Sequence, residues 1–155
     1  MDYLVLKWVH IVSSTILFGT GIGTAFFMFM AHRSRDVASV HFATRHVVMA
    51  DFLFTAPAVI VQFLTGVALM HKTGFSLTDR WLAAGIALYF FAGLCWLPVV
   101  WMQIRMRNLA KAAMETGGLL PDAYWGLSRY WAALGCLAFP AVAAVFYLMV
   151  VKPEI

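Results

Sequence analysis

The chain has 155 residues, of which 63% are hydrophobic and only 12% charged, with a net charge of +4 and a mean hydropathy of +0.85. Soluble domains carry about a quarter charged residues, so the composition excludes an ordinary water-soluble domain and leaves no room for a separate catalytic module. It points to one domain embedded in a lipid bilayer.

Four apolar stretches each reach the ~20 residues that a ~30 Å hydrocarbon core requires. The first covers residues 4–30. No basic leader precedes it and no small-residue cleavage motif comes after it, so it is expected to be a retained span and not a signal peptide. Gly19, Gly21 and Gly23, with Thr20 and Thr24, form a small-residue seam suited to close helix packing. The second stretch, 47–70, carries Pro57 and ends at a turn around Thr73 and Gly74. Ser76, three residues before Asp79, resembles a capping box that starts the next helix.

The third stretch, 82–104, carries Pro98. Its helix is expected to continue through Arg105 and Lys111, with Lys111 and Glu115 at i,i+4, and to stop at Gly117 and Gly118. Pro121 suits the first turn of the next helix. The fourth stretch, 130–151, carries Pro140. A lipid-embedded backbone must satisfy its own hydrogen bonds, so all four stretches are helices. The fold class is all-α: an integral membrane four-helix bundle, up-down-up-down.

Basic residues place the bundle. Arg33, Arg35, Arg45, Arg105, Arg107, Lys111 and Arg129 fall at one end, and Lys7, Lys72, Arg80 and Lys152 at the other. The richer end is expected to be cytoplasmic, with both termini outside a bacterial inner membrane. The same placement assigns the positive charge to membrane topology and excludes a nucleic-acid partner. Cys95 and Cys136 lie within spans as small apolar residues and form no disulfide framework. The tryptophans mostly flank span ends, as in an interfacial belt.

Histidine is the most suggestive residue in so apolar a chain. His10 and His71 fall near the outer ends of the first two spans, and His32 and His46 near their inner ends. At ~100° per residue, His10 and His32 differ by about 40° around their helix. Imidazoles facing one another between bundle helices are what a b-type haem requires. The expected ligands are His10 with His71 as first choice, and His32 or His46 as alternatives. The competing reading makes each an ordinary interfacial residue.

A second constellation lies deeper. An intramembrane carboxylate is by default a functional candidate, and Asp51 lies about five residues inside the second span. Gln62 shares its face, and Gln103 and Arg105 lie at similar depth on the third helix. An Asp51–Arg105 ion pair would offset the cost of burying either charge. With His46 and Gln103 it fits a proton relay, a holder for an anionic group, or a helix-locking salt bridge. Met28, Met30 and His32, with Met70, Met102 and Met106, offer thioether and imidazole donors for copper as an alternative cofactor. No phosphate-cradling loop or hydrolase motif is present, and no catalytic residue is singled out.

The segment Tyr3-Leu4-Val5-Leu6-Lys7-Trp8-Val9-His10-Ile11-Val12, with Phe18-Gly19 and His32, resembles the first helix of HemJ-type protoporphyrinogen oxidases and the CopD-like group. Nearly the whole chain resembles an uncharacterised-function family of four-span bacterial membrane proteins. Asp51-Phe52-Leu53-Phe54-Thr55-Ala56-Pro57, Leu64-Thr65-Gly66-Val67-Ala68-Leu69 and Trp96-Leu97-Pro98-Val99-Val100-Trp101-Met102-Gln103-Ile104-Arg105-Met106 carry that likeness. The first resemblance implies haem b on His10. A lysine that the HemJ-type proteins place four residues after a tryptophan opening the third helix is Gly85 here, after Trp81, which argues against protoporphyrinogen oxidation.

The expected function is therefore haem b binding with a redox or haem-related role, and any enzyme would be a membrane oxidoreductase. The alternatives are a copper-handling or permease-like protein, or a cofactor-free assembly partner of a membrane complex; the expected partners are the lipid bilayer and either further copies of the chain in a homo-oligomer or another membrane subunit.

Overall fold

A computed structural model describes residues 2–153. Four helices long and apolar enough to cross a membrane succeed one another: α1 (Tyr3–Ser34), α2 (Val37–Thr73), α3 (Arg80–Thr116) and α4 (Asp122–Val151). The chain is all-α, as the hydropathy pattern requires.

The helices run beyond the apolar stretches because the polar residues between them also have reasons to be helical. Asp36 caps α2, its Oδ2 accepting from the Ser39 amide at 2.8 Å and the Ser39 hydroxyl at 2.6 Å. Val40, Ala43, Thr44 and Val47 then fall on one buried face at helical spacing. Tyr124 and Ser128 do the same one turn apart on α4. Arg35 closes α1 in the left-handed region at φ 55°, which makes the first turn very short.

Gly74 and Gly117 end α2 and α3 with φ of 73° and 64°, conformations that favour glycine. The extension of α3 past the apolar stretch forms as expected, and Lys111 Nζ lies 3.6 Å from Glu115 Oε1. Both side chains are exposed, so the pair adds little stability. The expected capping box forms only its return half. Asp79 Oδ2 accepts from the Ser76 amide at 2.8 Å, but α3 begins at Arg80, with Asp79 at the cap position.

Within α2, Asp51–Thr55 form a π turn in which the Ala56 amide reaches back to the Asp51 carbonyl. Pro57 comes two residues later. It has no N–H and its ring crowds the preceding turn, and a widened turn relieves that conflict. Pro98 and Pro140 sit inside helices that continue past them.

Consecutive helices pack side by side around the bundle. Large aromatic side chains close the ring between α4 and α1: Phe18 lies edge-on to Phe139 and Phe146 at 5.9 and 5.4 Å. Of the seam glycines, Gly21 alone faces a neighbour, the Phe139 ring, while Gly19 and Gly23 look into open space. An apolar core of Met28, Val40, Val47, Met106 and Tyr124 fills the end where the first and third turns lie. At the opposite end Lys152 Nζ sits 4.6 Å over the Phe75 ring and 5.4 Å over Trp81.

The outside is apolar: Trp8, Phe27, Leu53, Leu94 and Leu97 are all more than half exposed. Ser13, Asp51, Thr55, Thr65, Gln103 and Ser128 are buried within. A water-soluble bundle has the opposite arrangement. With lipid as the solvent, the inversion is what stability demands, and the chain is an integral membrane four-helix bundle in contact with the bilayer.

Candidate functional site

Residues three apart on a helix share a face, so α1 presents His10 with Ser13 and α2 presents Gln62 with Thr65. The four meet. His10 Nε2 lies 2.9 Å from Gln62 Nε2, His10 Nδ1 lies 2.8 Å from Thr65 Oγ1, and the Ser13 hydroxyl donates to Gln62 Oε1 at 2.5 Å. An amide nitrogen only donates, so Nε2 accepts and the imidazole proton sits on Nδ1, donating to Thr65 Oγ1. The Thr65 hydroxyl in turn donates to the Val61 carbonyl at 2.6 Å. Both ring nitrogens of His10 are engaged, and the ring edge packs against Gly66.

The other histidines go elsewhere. His71, the expected partner of His10, is exposed near the end of α2. His32 turns to α4, with Nε2 2.7 Å from Tyr124 Oη, Nδ1 3.4 Å from Ser128 Oγ, and Trp125 edge-on at 5.4 Å. His46 donates from Nδ1 to its own helix, at the Phe42 carbonyl, 2.7 Å away, and stacks on Phe42. The expected levels, His10 with His71 and His32 with His46, are therefore not facing pairs. His41, which belongs to neither expected pair, has a buried Nδ1 with no partner.

An axial haem ligand needs a free ring nitrogen and space for a flat macrocycle beside it. Both ring nitrogens of His10 and of His32 are engaged, so neither residue offers iron a free nitrogen as arranged. Among the described residues no three or more histidine, cysteine, aspartate or glutamate side chains gather into a metal-binding group. The methionine donors also diverge: Met28 is fully buried in the apolar core while Met30 is 46% exposed.

The third cluster is the most unusual. Asp51, 5% exposed, opens the π turn of α2 and lies beside Thr55 and Gln103 of α3. Asp51 Oδ2, Thr55 Oγ1 and Gln103 Oε1 are all buried without a hydrogen-bond partner. The expected ion pair with Arg105 does not form. Residues two apart on a helix point ~200° apart, so Gln103 faces inward while Arg105 is exposed, its guanidinium 5.7 Å from the Trp101 ring. The inner polar cluster is therefore Asp51, Thr55 and Gln103, with Arg105 outside it.

Residues 4–153 match a family model described as a predicted integral membrane protein (DUF2269). The chain belongs to the DUF2269 family. Neither a curated protein nor a solved structure matches it. The resemblance to a four-span family of uncharacterised function is thus confirmed, while the first-helix likeness to HemJ-type oxidases finds no support in these comparisons.

Sequence reasoning found His10, Gln62, Asp51 and Gln103 in this DUF2269 chain but missed Ser13, Thr55, Thr65, Tyr124 and Ser128. Ser13 and Thr65 had a usable signal, since each lies three residues after a polar partner within an apolar run. Tyr124 had none: it precedes the fourth apolar stretch, in the segment after Pro121.

Proposed function

We propose that this DUF2269 protein acts in the bilayer through an enclosed carboxyl site, Asp51 with Thr55 and Gln103, that takes up and releases a proton in a permease-like role. The observation that carries this reading is a buried carboxyl group beside Thr55 and Gln103, whose side-chain oxygens are buried and unpartnered like its own, with no ion pair to it among the described residues. A carboxyl O–H on Asp51 has an acceptor in Gln103 Oε1. Once that proton leaves, the carboxylate has donors in the Thr55 hydroxyl and in the Gln103 amide if it turns over. The π turn supplies a backbone element able to shift register at this point, and such turns gather at functional sites. The excess of basic residues at the end formed by the first and third turns supports placement in a bacterial inner membrane with both termini outside.

Purified protein in liposomes carrying a pH-sensitive dye tests the reading. Under an imposed potential the wild-type protein is expected to move protons and Asp51→Asn to lose at least nine-tenths of the rate. The infrared carboxyl band of a protonated acid should be present at neutral pH and absent in Asp51→Asn. Equal proton flux in both proteins, or no such band, rejects the proposal.

Haem-associated redox chemistry is the second reading, favoured by one observation: the His10 imidazole is held between α1 and α2. It requires Gln62 to swing away from Nε2. A Soret band that shifts on dithionite reduction and disappears in His10→Ala supports it, and a colourless preparation ends it. Stoichiometric copper in colourless protein would favour the copper alternative, and a metal-free protein that co-purifies with another subunit the assembly role.

A further inference from the structure

A cleft of 740 Å³ opens at the end of the bundle formed by the first and third turns. Its chemistry is divided. Arg33 and Arg35 line it together with Phe29, Leu120, Trp125 and the His32 ring. We propose that this cleft holds the headgroup of an anionic phospholipid, the phosphodiester against the two guanidinium groups and the first part of the acyl chains along the apolar wall.

The cations are available for it. Among the described residues neither arginine has a carboxylate within ion-pair distance, and the ion pair found there is Lys111–Glu115. The carboxylate closest in sequence, Asp36, is turned to Ser39, whose amide and hydroxyl both donate to its Oδ2. His32 is engaged elsewhere, its ring nitrogens lying 2.7 Å from Tyr124 Oη and 3.4 Å from Ser128 Oγ. Arginine's planar fork matches two phosphate oxygens at once.

Position and shape favour a lipid over free phosphate. The cleft lies just past the end of the first apolar stretch, where headgroups sit and where basic pockets between membrane helices recognise acidic lipids. Its volume far exceeds one phosphate, and Leu119 adds to its apolar lining. Arg35 is held in the left-handed backbone region by the tight turn, its amide reaching the His32 carbonyl at 3.3 Å. That sets the backbone course at the base of the cleft.

Native mass spectrometry of the full chain in detergent, with phosphatidylglycerol as probe, tests the proposal. Phosphatidylglycerol is expected to bind and phosphatidylcholine to bind at least tenfold more weakly. Two guanidinium groups at a membrane surface together account for a factor of about thirty, so Arg33→Gln with Arg35→Gln should weaken binding by that order. Arg105→Gln with Arg107→Gln removes the same charge from the same end and should change it less than threefold. Equal loss in both double variants would reduce the site to a general basic collar and overturn the proposal, as would competition by millimolar inorganic phosphate. If the first double variant does not fold, each single change is expected to weaken binding about fivefold, and no change in either single variant overturns the proposal equally.

Discussion

His10 and Gln62 lie 52 residues apart in the chain, yet the imidazole Nε2 sits 2.9 Å from the amide nitrogen that donates to it. The contact joins α1 to α2 inside the bundle and fixes the tautomer of the ring. Gln62→Leu removes that donor and leaves Nε2 buried and unmatched. Interhelical hydrogen bonds in membranes average about 0.6 kcal/mol and reach about 1.7, so a double-mutant cycle with His10→Phe is expected to give a coupling within that range. Thermal unfolding in detergent measures it. A coupling of zero would mean that the two side chains do not interact in the folded protein.

Tyr124 is fully buried, its hydroxyl 2.7 Å from His32 Nε2. Removing only the hydroxyl in Tyr124→Phe is expected to cost about 1 kcal/mol. Tyr124→Ala also leaves a cavity against Met28 and Met106 and is expected to cost about 3–5 kcal/mol. Unfolding monitored by circular dichroism should rank the two variants in that order.

Asp51 and Gln103 should behave as a matched pair. In the proposed protonated state Asp51 donates to Gln103 Oε1, so Gln103→Leu leaves that O–H without an acceptor and is expected to lower stability by about 1–3 kcal/mol, whereas replacing both residues with leucine should be close to neutral. If the double variant is the less stable one, the two side chains are not partners.

Asp36 lies outside the membrane spans and its pH dependence has a definite sign. The Ser39 hydroxyl and amide hold its carboxyl below the ordinary value of 3.8. A depressed folded-state value stabilises the cap above the ordinary carboxylate range, and that contribution disappears as pH falls through the lowered value. The stability difference between wild type and Asp36→Ala should therefore be constant near neutrality and shrink below about pH 4. A difference that grew on acidification would contradict the capping role.

Hydropathy alone established the architecture, because a lipid solvent admits only a few solutions for an apolar backbone. The turn at Gly74, the stop at Gly117 and the extension of α3 were also legible, since glycine conformation and i,i+4 charge spacing act locally. The helical start at Asp36 was not, as the residues after it are too polar to resemble a span. They fold into α2 only because Val40, Ala43 and Val47 find a buried face to occupy. Asp51, Gln103 and Arg105 stood out together as polar residues at membrane depth, but of the two on α3 only Gln103 faces inward and the Asp51–Arg105 ion pair does not form. Depth comes from counting residues, whereas direction around a helix depends on its rotation against its neighbours, and packing alone sets that rotation. The same holds for the histidines. Sequence placed His10 and His71 at matched levels, and the tertiary structure turned one toward Gln62 and left the other exposed.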